Sequence, residues 1–222
     1  MIERFKPMSS VVALLVVLVT AGAAAAGGQT PDFTHPTAEP STNATLMDRT
    51  DLGNVAQTSR MLYAEGRREI KRAAKLEKKL AESDETKRAE LEGKIRGARE
   101  NAAAKLVESI RYNPDQLDAY TALGEVYGSL GQHQQRLQVH STALKRQVDH
   151  QDNFRGWAEA MLELNLLGDA VQAWGHFHTA NPPLADILYA EMEHWLERRQ
   201  TDSAGLASED IQRMASWLAE RG

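Results

Sequence analysis

Cysteine is absent from the 222-residue chain, which excludes disulfides, thiolate zinc sites, cysteine nucleophiles and a lipidated amino-terminal cysteine. There is no P-loop, glycine-rich dinucleotide turn, G-x-S-x-G elbow or H-E-x-x-H pair, so the chemistries built on those motifs are excluded too. No proline falls between Val55 and Tyr112, and nothing there forbids long helices. What remains is ordinary for a folded protein, with 42% hydrophobic and 26% charged residues, enough for one domain or a small pair.

The amino terminus reads as an address. Arg4 and Lys6 precede the apolar run Val11 to Val19 (VVALLVVLV), which decays into small residues with an A-x-A site at Ala24 to Ala26. These are the requirements of a secretory signal, expected to be cleaved after about residue 26. The alternative is a retained anchor, since Ser9 to Gly27 nearly spans a bilayer if the alanines count as apolar. Residues 27–53 are rich in Pro, Thr, Ser and Gly without a helical or alternating period, so they read as a disordered linker. The chain is therefore expected in the periplasm or secreted from a bacterial cell, or else tethered by its first helix.

Residues 54–112 are mostly Ala, Leu, Lys, Arg and Glu, interrupted only by AESDET, where Ser83 or Asp84 is positioned to cap a new helix. Before that break Leu62, Gly66, Glu69, Ala73, Leu76 and Leu80 recur every three or four residues. After it Leu91, Ile95, Ala98, Ala102, Leu106 and Ile110 do the same. Two narrow apolar stripes joined by a tight polar turn bury each other as a long antiparallel hairpin, with arms of about 25 residues and roughly 38 Å.

From Leu117 onward Tyr120, Leu123, Gly124, Tyr127, Gly131 and Ala143 stand at spacings that resemble the tetratricopeptide repeat, a 34-residue helix-turn-helix unit. Gly124 admits a partner helix and Gly131 supplies the positive φ of the turn. Two positions depart from the family: Arg136 replaces a small residue and His140 an aromatic one. Ala102, Leu106 and Pro114 resemble the end of a preceding repeat, whose turn glycine would be Gly97, overwritten here by a continuous helix. A second, degenerate unit has Phe154, Trp157, Ala158 and Met161 on its first helix and Leu167-Gly168-Asp169 as its turn. Its second helix carries Ala173, Phe177, Ala180 and Pro182, which leaves it about three residues short. After Pro183, Leu184, Ile187, Leu188, Met192, Trp195 and Leu196 mark another helix. Ile211, Met214, Ala215, Trp217 and Leu218 mark a last one, with Ser208 as its cap. These two are suited to close the array.

The expected architecture is all-α: a tetratricopeptide-like array over 113–222, preceded by the hairpin at 54–112. The resemblance implies non-catalytic protein binding on the face made by successive first helices. Carried over position by position, that face is Asp118, Thr121, Glu125 and Ser129, then Asp152, Arg155, Glu159 and Glu163. Some relatives grip a terminal carboxylate there with Lys, Arg and Asn. The acids of this chain suit basic or hydroxyl-rich ligands instead.

Charge divides by segment. Residues 54–112 hold 15 Lys+Arg against 10 Asp+Glu, and residues 113–222 hold 8 against 16, a basic hairpin on an acidic array. The basic run lacks stacking aromatics, so no nucleic-acid partner is expected. Weak contact with a membrane surface through the hairpin and homo-oligomerisation are the other associations considered. No cofactor or metal is expected, because His176 and His178 diverge by about 200° on a helix. The rival readings are an envelope enzyme or enzyme subunit with a site around Trp157, Trp174, His176, His178 and His194, and a structural protein that self-associates through the hairpin.

Overall fold

A computed structural model describes residues 49–201 and 209–221, and the signal segment, most of the linker and the Ser208 cap lie outside that range. The described residues form eight helices and no strand. They are α1 (Arg49–Ala81), α2 (Glu85–Tyr112), α3 (Leu117–Ser129), α4 (His133–Arg146), α5 (Gln151–Glu163), α6 (Leu167–Ala180), α7 (Pro182–Thr201) and α8 (Glu209–Ala219). The chain is thus an all-α array of helical hairpins preceded by a long antiparallel one. It divides into two compact units, one running through Val139 and one starting at His140.

In the first unit α1 and α2 pack along their lengths, and α3 packs on α2. The unit therefore extends beyond residue 112. Helix α1 is 33 residues long and starts at Arg49, so the last residues assigned to the linker are helical. The seam is the expected double stripe: Leu62, Ala73, Ile95, Ala98, Ala102, Leu106 and Ile110 are buried, and Leu76 and Leu80 flank the distal part. Gly66 sets the interhelical distance, since a Cβ there would lie 2.8 Å from Leu106 Cγ. At the base, Ser59 Oγ lies 2.7 Å from Gln116 Oε1, and Ser109 Oγ donates to the Ser59 carbonyl at 2.9 Å. Both hydroxyls are fully buried and satisfied. At the tip Asp84 occupies the N-cap position of α2, but its side chain makes no capping bond. Ser83 instead donates back to the Leu80 carbonyl and closes the end of α1. The expected side-chain cap is therefore absent.

Helix α2 runs unbroken through Gly97, as expected for an overwritten turn. Helix α3 ends in a Schellman motif: Gly131 takes φ +70°, its N–H reaches the Gly128 carbonyl at 3.0 Å, and Gln132 N–H reaches the Tyr127 carbonyl at 2.8 Å. Arg136 is accommodated because the facing residue is Gly128, where a Cβ would meet the guanidinium Nη1 at 3.2 Å.

In the second unit α7 packs on both α5 and α6, and α8 packs on α7. Its centre is aromatic, with Phe154, Trp157 and Phe177 at ring separations of 5.0 to 6.4 Å, extended by Leu184, Leu188, Met192 and Trp195. His140 is buried and takes the space that Gly156 leaves open, where an added Cβ would clash with its Nε2, Cε1 and Cδ2. Its Nδ1 bonds Asn153 Oδ1 at 2.9 Å. Asn153 Nδ2 lies 3.1 Å from Nδ1 of His150, the N-cap of α5.

The helix boundaries recur every 34 residues. Helices α3 and α5 start and end 34 apart, and so do α4 and α6. The Schellman motif recurs in the same register at Asn165, φ +59°, with Leu166 N–H on the Met161 carbonyl at 3.0 Å and Asn165 N–H on the Leu162 carbonyl at 2.9 Å. The turn is therefore not Leu167-Gly168-Asp169, which opens α6. With the turn at Asn165 no residues are missing, and the positions equivalent to Arg136, His140 and Ala143 are Ala170, Trp174 and Phe177 rather than Ala173, Phe177 and Ala180.

Candidate interaction faces

The four groove positions of α3 lie three or four residues apart and share a face. Asp118 is exposed, and Thr121 Oγ1 bonds back to the Leu117 carbonyl at 3.4 Å. Glu125 pairs with Arg67 of α1 at 3.6 Å. Ser129 Oγ donates to the Glu125 carbonyl, and the Ser129 carbonyl receives Arg99 Nη1 at 2.6 Å, while Arg99 Nη2 holds Glu77 at 2.8 Å. The lower end of this face is thus gripped by the chain's own hairpin through a guanidinium on the carbonyl end of α3, where the helix dipole favours a cation. Its upper end, Asp118 and Thr121, has no such clamp.

The α5 positions behave in parallel but within the second unit. Asp152 is exposed. Arg155 Nε pairs with Glu191 of α7 at 3.2 Å, and Glu163 receives Arg198 at 3.1 Å and Arg199 at 3.4 Å. Burial, and then the neighbouring Glu159 carboxylate, push the Glu191 carboxyl above its usual range, against the opposing pull of Arg155, His194 and Arg198. The α5 and α7 helices therefore share a belt of alternating charge in which Glu191 is more covered than Glu163, Arg155, Arg198 and Arg199. The periodicity that located Arg155, Glu159 and Glu163 did not point to Glu191, Arg198 or Arg199. Their polar positions at three- and four-residue spacing on α7 were visible, but not that this helix adjoins α5.

The residues of the rival enzymatic reading are distributed rather than gathered. Trp157 is buried against Phe154 and Phe177. His178 stacks on Trp174 at 4.5 Å, and His176 lies edge-on to Phe177 at 5.6 Å, as expected for residues two apart on a helix. Trp174 also meets Trp217 at 5.0 Å, with Arg221 above both indoles at 5.6 and 4.3 Å, so this cluster fastens α8 to α6. His194 is exposed on α7. Among the described residues no three His, Asp or Glu side chains are grouped to hold a metal ion, and no helix is long and apolar enough to cross a membrane. Compared with known proteins, the chain matches no family model, no curated protein and no solved structure.

Proposed function

We infer that the chain is a non-catalytic protein-binding scaffold of the bacterial cell envelope, a tetratricopeptide-like array carried on a helical hairpin. The observation that supports this most is the 34-residue recurrence of helix boundaries and of the left-handed turn residue at Gly131 and Asn165. That period is the length of the repeat the side chains resemble, and arrays of such repeats are binding surfaces. Envelope location rests on the basic, apolar and small-residue succession of the first 26 residues. On each first helix taken by itself the exposed start, Asp118 on α3 and Asp152 on α5, is the position left open to a basic or hydroxyl-rich segment. The acids further along are already held by Arg67, Arg198 and Arg199.

The test is cross-linked affinity capture from the native envelope with the full chain and with an Asp118→Lys, Asp152→Lys variant, whose changes lie at exposed positions and whose fold is checked by circular dichroism. A specific partner retained by the first and lost by the second is expected. Equal capture by both would remove the groove from the reading. Stoichiometric zinc or iron that disappears when His176 and His178 become alanine would replace it with the enzymatic one.

A further inference from the structure

The exposed side of α1 carries charge of one sign. Of its exposed positions from Gly53 onward, seven are cationic (Arg60, Arg68, Lys71, Arg72, Lys75, Lys78 and Lys79) and none is acidic. At 100° per residue these seven fall within one sector of about 120°, along roughly 28 Å of helix. Exposed positions of α2 are balanced by contrast: Lys87, Arg88, Lys94, Arg96 and Arg111 are matched by Glu85, Glu90, Glu92, Glu100 and Glu108. The three glutamates of α1 are half-buried at its edges and already engaged. Glu65 pairs with Arg68 and Lys105, Glu69 with Arg72, and Glu77 with Arg99. The lysines at 71, 75, 78 and 79 take part in no ion pair among the described residues.

We propose that this face of α1 is a docking surface for an anionic lipid bilayer, lying flat on it through the seven cations. The occupant follows from charge and shape together. A protein partner needs a desolvated anchor and a socket for it, whereas this face is a convex row of long flexible cations with alanine at position 64 and a single large apolar side chain, Met61, 54% exposed. A planar layer of phosphate groups asks for no socket, and Met61 stands on the same sector, able to enter the headgroup layer. Duplex nucleic acid would call for donors fitted to a groove, and an exposed straight row supplies only phosphate contacts. The proposal is independent of the groove reading, since it uses a different helix and no residue of the array.

The experiment is vesicle co-sedimentation of the full chain with phosphatidylglycerol vesicles, phosphatidylcholine vesicles and, separately, duplex DNA and polyglutamate. Binding to the anionic vesicles at low salt is expected, falling steeply as ionic strength shortens the screening length. Phosphatidylcholine vesicles report whatever the apolar run at 11–19 contributes by itself. Each cation near an anionic surface strengthens partitioning by about fivefold, so Lys71→Glu, Lys75→Glu, Lys78→Glu, Lys79→Glu should lower binding by at least several hundredfold from the lost attraction alone, with the four added carboxylates lowering it further. A charge-matched control on α2, Lys87→Glu, Arg88→Glu, Lys94→Glu, Arg111→Glu, should lose far less. If the first variant unfolds by circular dichroism, the four lysines are changed to glutamine instead, which removes charge without adding repulsion. Absence of anionic-vesicle binding at low salt, equal losses in the two variants, or tighter binding to DNA or polyglutamate than to vesicles would each overturn the proposal.

Discussion

Gly156→Ala is the sharpest single-atom test of the packing described above. Alanine in a helix interior normally gains about 1 kcal/mol over glycine. At Gly156 the new methyl would lie 2.8 Å from His140 Cδ2 and closer still to Cε1 and Nε2, so the ring has to move. Overpacking of this kind costs about 1 to 3 kcal/mol. Displacing the ring also endangers the buried 2.9 Å bond to Asn153, and an orphaned buried polar group costs about 1 to 3 kcal/mol more. Set against the helix gain, the net loss should be about 1 to 5 kcal/mol. Tryptophan fluorescence in urea reads it cleanly, because all four tryptophans (157, 174, 195 and 217) lie in the unit that holds His140. Gly168→Ala and Gly175→Ala on α6, where an added Cβ meets nothing within 4 Å, should be neutral or stabilising by up to about 1 kcal/mol. Adding His140→Ala to Gly156→Ala should show coupling of about 0.5 to 3 kcal/mol. A Gly156→Ala midpoint equal to or above the wild type would refute the account of His140 as the residue that fills this glycine's space.

Two further expectations concern the turn and the charged belt. Asn165→Val places a branched side chain at φ +59° and should cost about 1 to 2 kcal/mol, whereas Asn165→Gly should hold or raise stability; equal urea midpoints for the two would remove the left-handed turn. Glu191 has a folded-state pKa raised by burial and by Glu159, so the native chain holds that proton more tightly than the unfolded chain. Its contribution is most favourable below the ordinary carboxylate range and declines as pH rises through the raised folded value. Glu191→Gln should therefore flatten the fall of the urea midpoint across that window, and parallel pH profiles for the two proteins would contradict the assignment.

Much of the helical framework was readable from spacing alone. The double stripe from Leu62 to Ile110 is the buried seam, Gly131 has the positive φ required of it, and His140, standing where the repeat has an aromatic residue, is buried as that residue would be. The second turn was misplaced for a physical reason. A left-handed turn accepts asparagine as well as glycine, and the nearest glycine, Gly168, stands three residues after the asparagine that makes the turn. That slip made the unit look short and gave a packing role to Ala180, which is exposed, where Phe177 is the buried residue in that register; Ala173 is buried all the same, and Ala170 was overlooked. The compensations at Gly128 for Arg136 and at Gly156 for His140 leave no local pattern, because each joins residues whose proximity exists only after two helices have met. The candidate face was half legible in the same way. Periodicity placed Asp118 to Ser129 and Asp152 to Glu163 on single sides of their helices, but Arg67, Arg99, Glu191 and Arg198 reach them across helix boundaries that no local period encodes.

A strut without a joint behaves differently from two short ones. Because α2 continues for 28 residues where a repeat would have bent back at Gly97, a load applied near its start at Glu85 is delivered about 40 Å away at Tyr112 with no hinge to absorb it. The hairpin is then a lever arm rather than a flexible tail. Proline at position 97, where no neighbour crowds the backbone, would insert the missing knee and uncouple its two ends.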